Sequence, residues 1–192
     1  MQIAEKITES VWKIAAGSNI YILNMPSEKI LIDAGDRAYR SQLSKVLDKV
    51  INPEEVSKVI FTHMHFDHVG NFDFFPNAEF FASSEEIKNF RKNPEMIVLK
   101  EDIAEKLKSV NIKPIEQLGV PELEIINTPG HTSGSICIWF EKEKVLFTGD
   151  TIFKEGYGRT DLPTSDQQEL QKSVVKLLNY NYKHMCPGHG RN

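Results

Sequence analysis

Cysteine is scarce in this chain: Cys137 and Cys186 are the only two in 192 residues. That excludes the disulfide framework on which small secreted domains depend. A chain of this length can bury enough apolar surface to hold together without one. Cys137 falls in the alternating run Ser135-Ile-Cys-Ile-Trp-Phe140 and reads as a buried apolar residue. Long hydrophobic runs are missing too, so no membrane-spanning segment is expected. The first residues, Met1-Gln-Ile-Ala-Glu-Lys6, lack the apolar stretch of a secretory signal. Nor does charge of one sign dominate. The 23 Lys and Arg against 27 Asp and Glu leave a net charge of −4, which argues against a basic nucleic-acid binder, and no nucleic-acid partner is expected. Linkers, repeats of fixed period and low-complexity tracts are absent. What is there is ordinary globular composition, 40% hydrophobic and 26% charged, expected to form one cytoplasmic domain over residues 1–192.

Strand-like and helical patterns alternate along the chain. Residues 10–15, 18–24 and 29–33 are rich in β-branched and aromatic side chains with turn signals between them, which predicts an antiparallel meander. Residues 37–50 carry Leu43, Val46, Leu47 and Val50 at helical spacing, and Asn52-Pro53 stops that helix. Residues 56–61 and 79–82 read as strands. Ser83-Ser-Glu-Glu86 predicts a helix start with Ser83 as cap and Glu86 at the capping-box position. Residues 93–110 read as helical without a clear division. In the second half, residues 123–127, 134–140, 144–147 and 183–186 read as strands, with a turn at 141–143. Residues 166–178 read as a helix that Ser165 or Asp166 caps. The pattern belongs to the α/β or α+β class.

Histidine is also sparse, yet five of the six histidines fall in three short motifs. Thr62-His-Met-His-Phe-Asp-His68 places His63 and His65 two apart, and in extended chain such residues point the same way, so both imidazoles can reach one ion. Asp67 and His68 are adjacent and diverge. Crowding all four onto one ion is hard, so the spacing hints at two. Thr128-Pro-Gly-His-Thr-Ser-Gly134 presents His131, Phe147-Thr-Gly-Asp150 presents Asp150, and Pro187-Gly-His-Gly190 presents His189. Glycine or proline beside each lets the backbone turn tightly and leaves the side chain at a cleft. Seven donors are too many for one zinc, which is about four-coordinate and keeps a position for water in catalytic sites. Two ions roughly 3.5–4 Å apart suit them, and Asp150 is the natural bridge, because a carboxylate has two oxygens and an imidazole cannot span two ions. His184 belongs to no motif and reads as structural.

The order His-x-His-x-Asp-His, Gly-His-Thr, Gly-Asp and Pro-Gly-His-Gly resembles the metallo-β-lactamase superfamily over nearly the whole chain. The resemblance implies a single-domain, four-layer αββα sandwich. It also implies one metal on His63, His65 and His131, a second on Asp67, His68 and His189, and Asp150 between them. Two divalent ions are expected, zinc first, with iron or manganese as alternatives. Water between two cations has its pKa lowered from 15.7 to about 7, and the hydroxide so formed would attack a carbonyl whose oxyanion the metals stabilise. Asp67 is the expected catalytic residue beyond ligation, positioning that nucleophile.

The loop from Gly149 to Pro163 resembles the Gly-Asp-x-Leu-Phe-x-x-x-x-Gly-Arg-x-Asp-x-Pro segment of small glyoxalase II-like (hydroxyacylglutathione hydrolase-like) proteins. That implies hydrolysis of an acyl thioester, with Lys154, Tyr157 and Arg159 meeting an anionic substrate. The competing reading pairs Arg159 with Asp161 to pin the loop. Glyoxalase II enzymes carry a C-terminal helical domain that contacts glutathione. The sequence stops at Asn192, so another thiol carrier or an ester is an expected alternative. Persulfide dioxygenases share a Gly-Arg-Thr-Asp stretch like Gly158 to Asp161 and use one iron on residues matching His63, His131 and Asp150. A lactonase and a non-catalytic metal-binding module complete the alternatives. Phe66, Phe72, Phe74 and Phe75 read mostly as core, with a substrate wall as the other reading. The oligomeric state is left open.

Overall fold

Alternating side chains decide the first sheet. In a computed structural model that describes residues 4–190, β1 (Glu5–Lys6), a strand the patterning did not predict, pairs antiparallel with β2 (Val11–Ala16), and β2, β3 (Ser18–Asn24) and β4 (Lys29–Ile32) form the antiparallel meander expected from their patterning. Residues 1–3, where the signal reading began, and 191–192 lie outside the described residues. The chain then crosses through helix α1 (Arg40–Val50) to β5 (Val56–Ile60), which pairs with β4 in parallel. A one-turn helix α2 (Phe66–Val69) precedes β6 (Glu79–Ala82). Three helices, α3 (Ser84–Lys92), α4 (Pro94–Val98) and α5 (Glu101–Leu107), lead to β7 (Ile112–Pro114). The seven strands pair in chain order, β5, β6 and β7 all parallel to their neighbours.

The second sheet holds β8 (Leu123–Asn127), β9 (Ile136–Phe140) and β10 (Val145–Gly149). After β10 come a small hairpin, β11 (Ile152–Phe153) and β12 (Gly156–Tyr157), then helix α6 (Gln167–Leu177) and strand β13 (His184–Pro187). The order is β13-β10-β9-β8, with β13 parallel to β10.

The two faces of each sheet bury different partners, and this creates the layers. Ile20 and Ile22 of β3 pack with Leu43, Val46 and Leu47 of α1 and with Phe90, Val98 and Ile103 of the other helices. Tyr21 and Leu23 of the same strand face Ile138, Phe140, Val145 and Phe147 across the second sheet. Behind that sheet, Cys137, Trp139 and Leu146 meet Leu177 of α6. Helices, sheet, sheet and helix therefore stack as the expected αββα sandwich. Each Phe or Leu so buried contributes roughly 1.5–3 kcal/mol.

Several boundaries differ from the sequence patterns. Residues 37–39 form a 3₁₀ turn capped by Asp36, so α1 starts at Arg40. The stretch 93–110 divides at Leu99, whose left-handed φ of 62° ends α4. Asn93 caps α4 by accepting from Met96 N, and Pro94 occupies its first turn, where the missing N–H is harmless. Strands β7, β11 and β12 carry no periodic signal because each has three residues or fewer. Ser83 does cap α3, accepting from Glu86 N. Glu86 does not complete a capping box; its carboxylate turns into the interior. Among the described residues no helix is long and apolar enough to cross a membrane.

Candidate metal centre

Every motif sits where a strand ends. β5 runs into residues 62–68, β8 into the loop at His131, β10 into Asp150 and β13 into His189. The parallel pairings of β4 with β5 and of β10 with β13 bring these ends to one edge of the sandwich, the edge at which open α/β sheets place their sites. Close approach there depends on missing Cβ atoms. A Cβ at Gly188 would lie 2.2 Å from Asp150 Oδ1, and one at Gly158 would lie 1.9 Å from the Asp150 carbonyl.

All seven motif residues converge. Their donor atoms form three groups, each within 4.8 Å: His63, His65 and His131; His63, His68 and Asp150; Asp67, His68 and His189. His65 Nδ1 and His131 Nε2 are 3.0 Å apart, and His68 Nε2 and His189 Nε2 are 3.3 Å apart. Asp150 divides its oxygens. Oδ1 lies 3.3 Å from His68 Nε2, and Oδ2 lies 3.5 Å from His131 Nε2 and 3.4 Å from His189 Nε2. Asp67 Oδ2 is 3.2 Å from His189 Nε2. His184 lies in β13, half-buried and in none of these groups.

Second partners fix the rings. His68 Nδ1 is 2.8 Å from Asp33 Oδ2, which leaves Nε2 for the cluster. Asp33 also accepts from Thr62 N and Thr62 Oγ1 at 2.8 and 2.9 Å. His131 Nδ1 faces the Arg159 carbonyl at 2.9 Å. These are the partners that orient metal-ligating imidazoles. The His189 loop is clamped from the first sheet: Asn19 Nδ2 and Tyr21 OH donate to the Pro187 carbonyl, each at 2.8 Å, and Lys13 Nζ donates to the Gly190 carbonyl. Patterning did not point to these residues as functional. The one sequence signal was Asp33, a carboxylate closing an apolar strand just before Ala34-Gly35.

The donor set fits divalent cations. His63 Nε2 is fully buried with no hydrogen-bond partner, and so is Asp150 Oδ1. Burial lowers the pKa of His63 well below its usual value, lowers His65 to about 3, and lowers His131 as well, so these three imidazoles are neutral with lone pairs to give. Burial also opposes the charged forms of His68 and His189, but neighbouring carboxylates outweigh it. His68 is raised by Asp150 and Asp33, and His189 is raised to about 9 by hydrogen bonds to Asp150 and Asp67. Burial raises Asp67 and Asp150, and the adjacent histidines more than reverse this, so both stay ionised. A cation on these atoms takes the place of the imidazolium protons.

A cleft of about 430 Å³ opens over the cluster, rimmed by Phe66, Leu99, Phe153, Tyr157, Arg159 and Leu162. Of the aromatic residues in and after the first motif, Phe66 faces this cleft while Phe72 and Phe75 are buried in the core. Tyr157 is 59% exposed at the rim. The Arg159 guanidinium forms two 2.7 Å hydrogen bonds with Asp161, so the pairing reading of this loop is realised. Lys154 lies outside that cleft, in an adjoining one with Phe153, Glu155 and His189.

The family model of the metallo-β-lactamase superfamily matches residues 15–189. The chain belongs to that superfamily. A probable metallo-hydrolase of Methanocaldococcus jannaschii is 35% identical over 184 residues, 90% of this chain and 87% of the relative. An atrochrysone carboxyl ACP thioesterase of Aspergillus fumigatus is 28% identical over 179 residues, 91% of this chain and 51% of the relative. Among solved structures, TTHA1623 in a di-iron-bound form superposes with a TM-score of 0.70 at 22% identity, covering 91% of this chain and 88% of that one. At that identity the likeness concerns the fold. Membership places the chain in a metallo-hydrolase superfamily whose fold implies divalent-metal binding, with candidate ligands in the three groups above.

Proposed function

We propose that this superfamily member is a dinuclear metal-dependent hydrolase that cleaves acyl thioesters. The observation that carries the reading is Asp150, set between two complete donor groups with one oxygen turned to His68 and the other to His131 and His189. His63, His65 and His131 would hold one ion, Asp67, His68 and His189 the other, and Asp150 would bridge. Zinc suits nitrogen and carboxylate donors in these numbers, and iron and manganese are the alternatives. When bound, such a pair lowers the pKa of water to about 7 and polarises a carbonyl oxygen.

The chain's own groups then do the positioning. Asp67 is ionised and reaches the cleft, so its carboxylate accepts a hydrogen bond from the attacking water and aims it. Phe66, Leu99 and Phe153 keep bulk water off the reacting carbonyl. A thiolate leaves readily, so the reaction needs little acid assistance. Tyr157 and Arg159 on the rim, and Lys154 beside it, would meet a polar or anionic thiol carrier. The thioesterase relative and the likeness of the Gly149–Pro163 loop to glyoxalase II-like proteins support a thioester over other carbonyls.

Metal analysis of protein purified without added metal, with thioester hydrolysis and oxygen uptake on a persulfide assayed on the same sample, tests the proposal. About two ions per chain with thioester cleavage is the expected result. One iron with oxygen consumption would mean a persulfide dioxygenase on His63, His131 and Asp150. Cleavage of lactones alone would make it an ester hydrolase, and loss of all metal on gel filtration would leave a binding module.

A further inference from the structure

Glu86 is a carboxylate in the interior with no part in the chemistry above. It is 1% exposed, its Oε1 accepts from Thr132 Oγ1 at 2.6 Å and from Met64 N at 3.3 Å, and its Oε2 is buried with no hydrogen-bond partner. Met64 lies between His63 and His65, and Thr132 follows His131. One oxygen atom therefore touches both loops that supply the first donor group. Leaving a buried carboxyl oxygen unpaired costs free energy, so its retention inside the fold calls for a reason.

The surroundings point the same way. The start of α3, which carries Glu86, is docked on the His131 loop: Ser83 Oγ accepts from Glu86 N and donates to the Gly134 carbonyl at 2.6 Å. A Cβ at Gly134 would lie 2.5 Å from Glu86 N, so only glycine permits the contact. Thr132 is fixed in turn by Ser135, whose Oγ accepts from Thr132 N at 3.1 Å. Burial pushes the Glu86 carboxyl pKa up, against the hydrogen bonds from Thr132 and Met64 that favour the ionised form.

We propose that Glu86 is a positioning residue for the first metal, a buried clasp that holds the His63–His65 loop and the His131 loop at the separation one ion requires. The proposal rests on the metal reading above. It touches neither substrate nor metal. Outer partners of this kind hold ligands in place and their loss typically costs 10–100-fold in metal affinity.

The test compares Glu86→Gln, which keeps an accepting oxygen, with Glu86→Met, which keeps the length and loses it. The full chain is loaded with zinc, the release of each ion to a chromogenic chelator is followed, and the cobalt-substituted protein gives a ligand-field spectrum. Metal-free protein is melted in parallel to report the fold alone. The expected result for Glu86→Met is release of one ion at least about tenfold faster with an altered cobalt spectrum, and for Glu86→Gln near-parental behaviour in both. If Glu86→Met lowers only the melting temperature of the metal-free protein, and both ions leave at the parental rate, Glu86 is simple packing and the proposal is wrong. Should Glu86→Met fail to fold, Thr132→Val removes the 2.6 Å bond from the other side; a smaller acceleration is then expected, and none would overturn the proposal. Parental protein that takes up no ion would sink the metal reading itself, an outcome separate from a parental chain with two ions and an indifferent Glu86→Met.

Discussion

The two outer donor groups of the candidate metal centre meet water differently. His63, His65 and His131 are 0%, 5% and 2% exposed. In the other half His68 is equally closed, but the side chains of Asp67 and His189 are 21% and 35% exposed. The closed half consists of neutral imidazoles shaped by packed loops. The open half consists of carboxylates and imidazoles that hold one another by charge, at the floor of the cleft. The lesson is that one donor group is preorganised by burial and the other by electrostatics, with access left to the second. An ion in the open half is therefore expected to exchange first.

The largest effect should come from the residue the halves share. Asp150→Ala is expected to lose both ions and to lower kcat/KM by more than about a thousandfold, about 4 kcal/mol. Metal analysis beside a kinetic assay checks this, and two retained ions with full activity would break the picture of a bridge. Next, zinc release from the parental protein should show a fast and a slow phase. His189→Ala should abolish the fast phase and His63→Ala the slow one. Loss of the same phase in both variants would erase the distinction between the halves.

Asp33→Ala sharpens the comparison further. It strips His68 Nδ1 and Thr62 of their shared acceptor, so affinity for the open-half ion should fall 10–100-fold, as for other outer partners. An equal fall in both halves, read by competition with a chelator, would show that Asp33 supports the whole edge. The smallest effect lies away from both halves. Burial raises the Asp73 carboxyl, and hydrogen bonds from Arg37 and Arg40 more than reverse it, leaving its pKa lowered. A lowered carboxylate stabilises the fold above its unfolded pKa, and that contribution fades as pH falls through the folded one. Asp73→Asn should therefore cost at most about 1 kcal/mol in urea unfolding at pH 7, as exposed ion pairs do, and the difference from the parental chain should shrink in acid. Metal content should not change.

Much of the fold was legible because its strands are long enough to show a pattern. Residues 18–24, 79–82 and 123–127 are strands with the expected limits. Where elements are short, periodicity carries nothing: β1, β7, β11 and β12 went unseen, and the helical stretch 93–110 gave no sign of its break at the left-handed Leu99. The candidate ligands stood out because histidines and aspartates clustered beside glycines at strand ends. Their supports did not stand out. Asn19 reaches Pro187 across 168 positions, and Glu86, which looked like half of a capping box, serves Thr132 across 46.

The sequence by itself determined the strand and helix patterning, the faces each element buries, and the seven donors with the turns that expose them. These are local matters, set by side-chain period, backbone freedom and residue chemistry. Tertiary structure alone decided that one half is closed and the other open, that Asp33 meets the His68 ring, that Glu86 bonds the loops of Met64 and Thr132, and that Lys13, Asn19 and Tyr21 clamp the His189 loop. Those facts arise only when two sheets pack face to face and bring strand ends from distant parts of the chain to one edge, a consequence of burial that no local run of residues records.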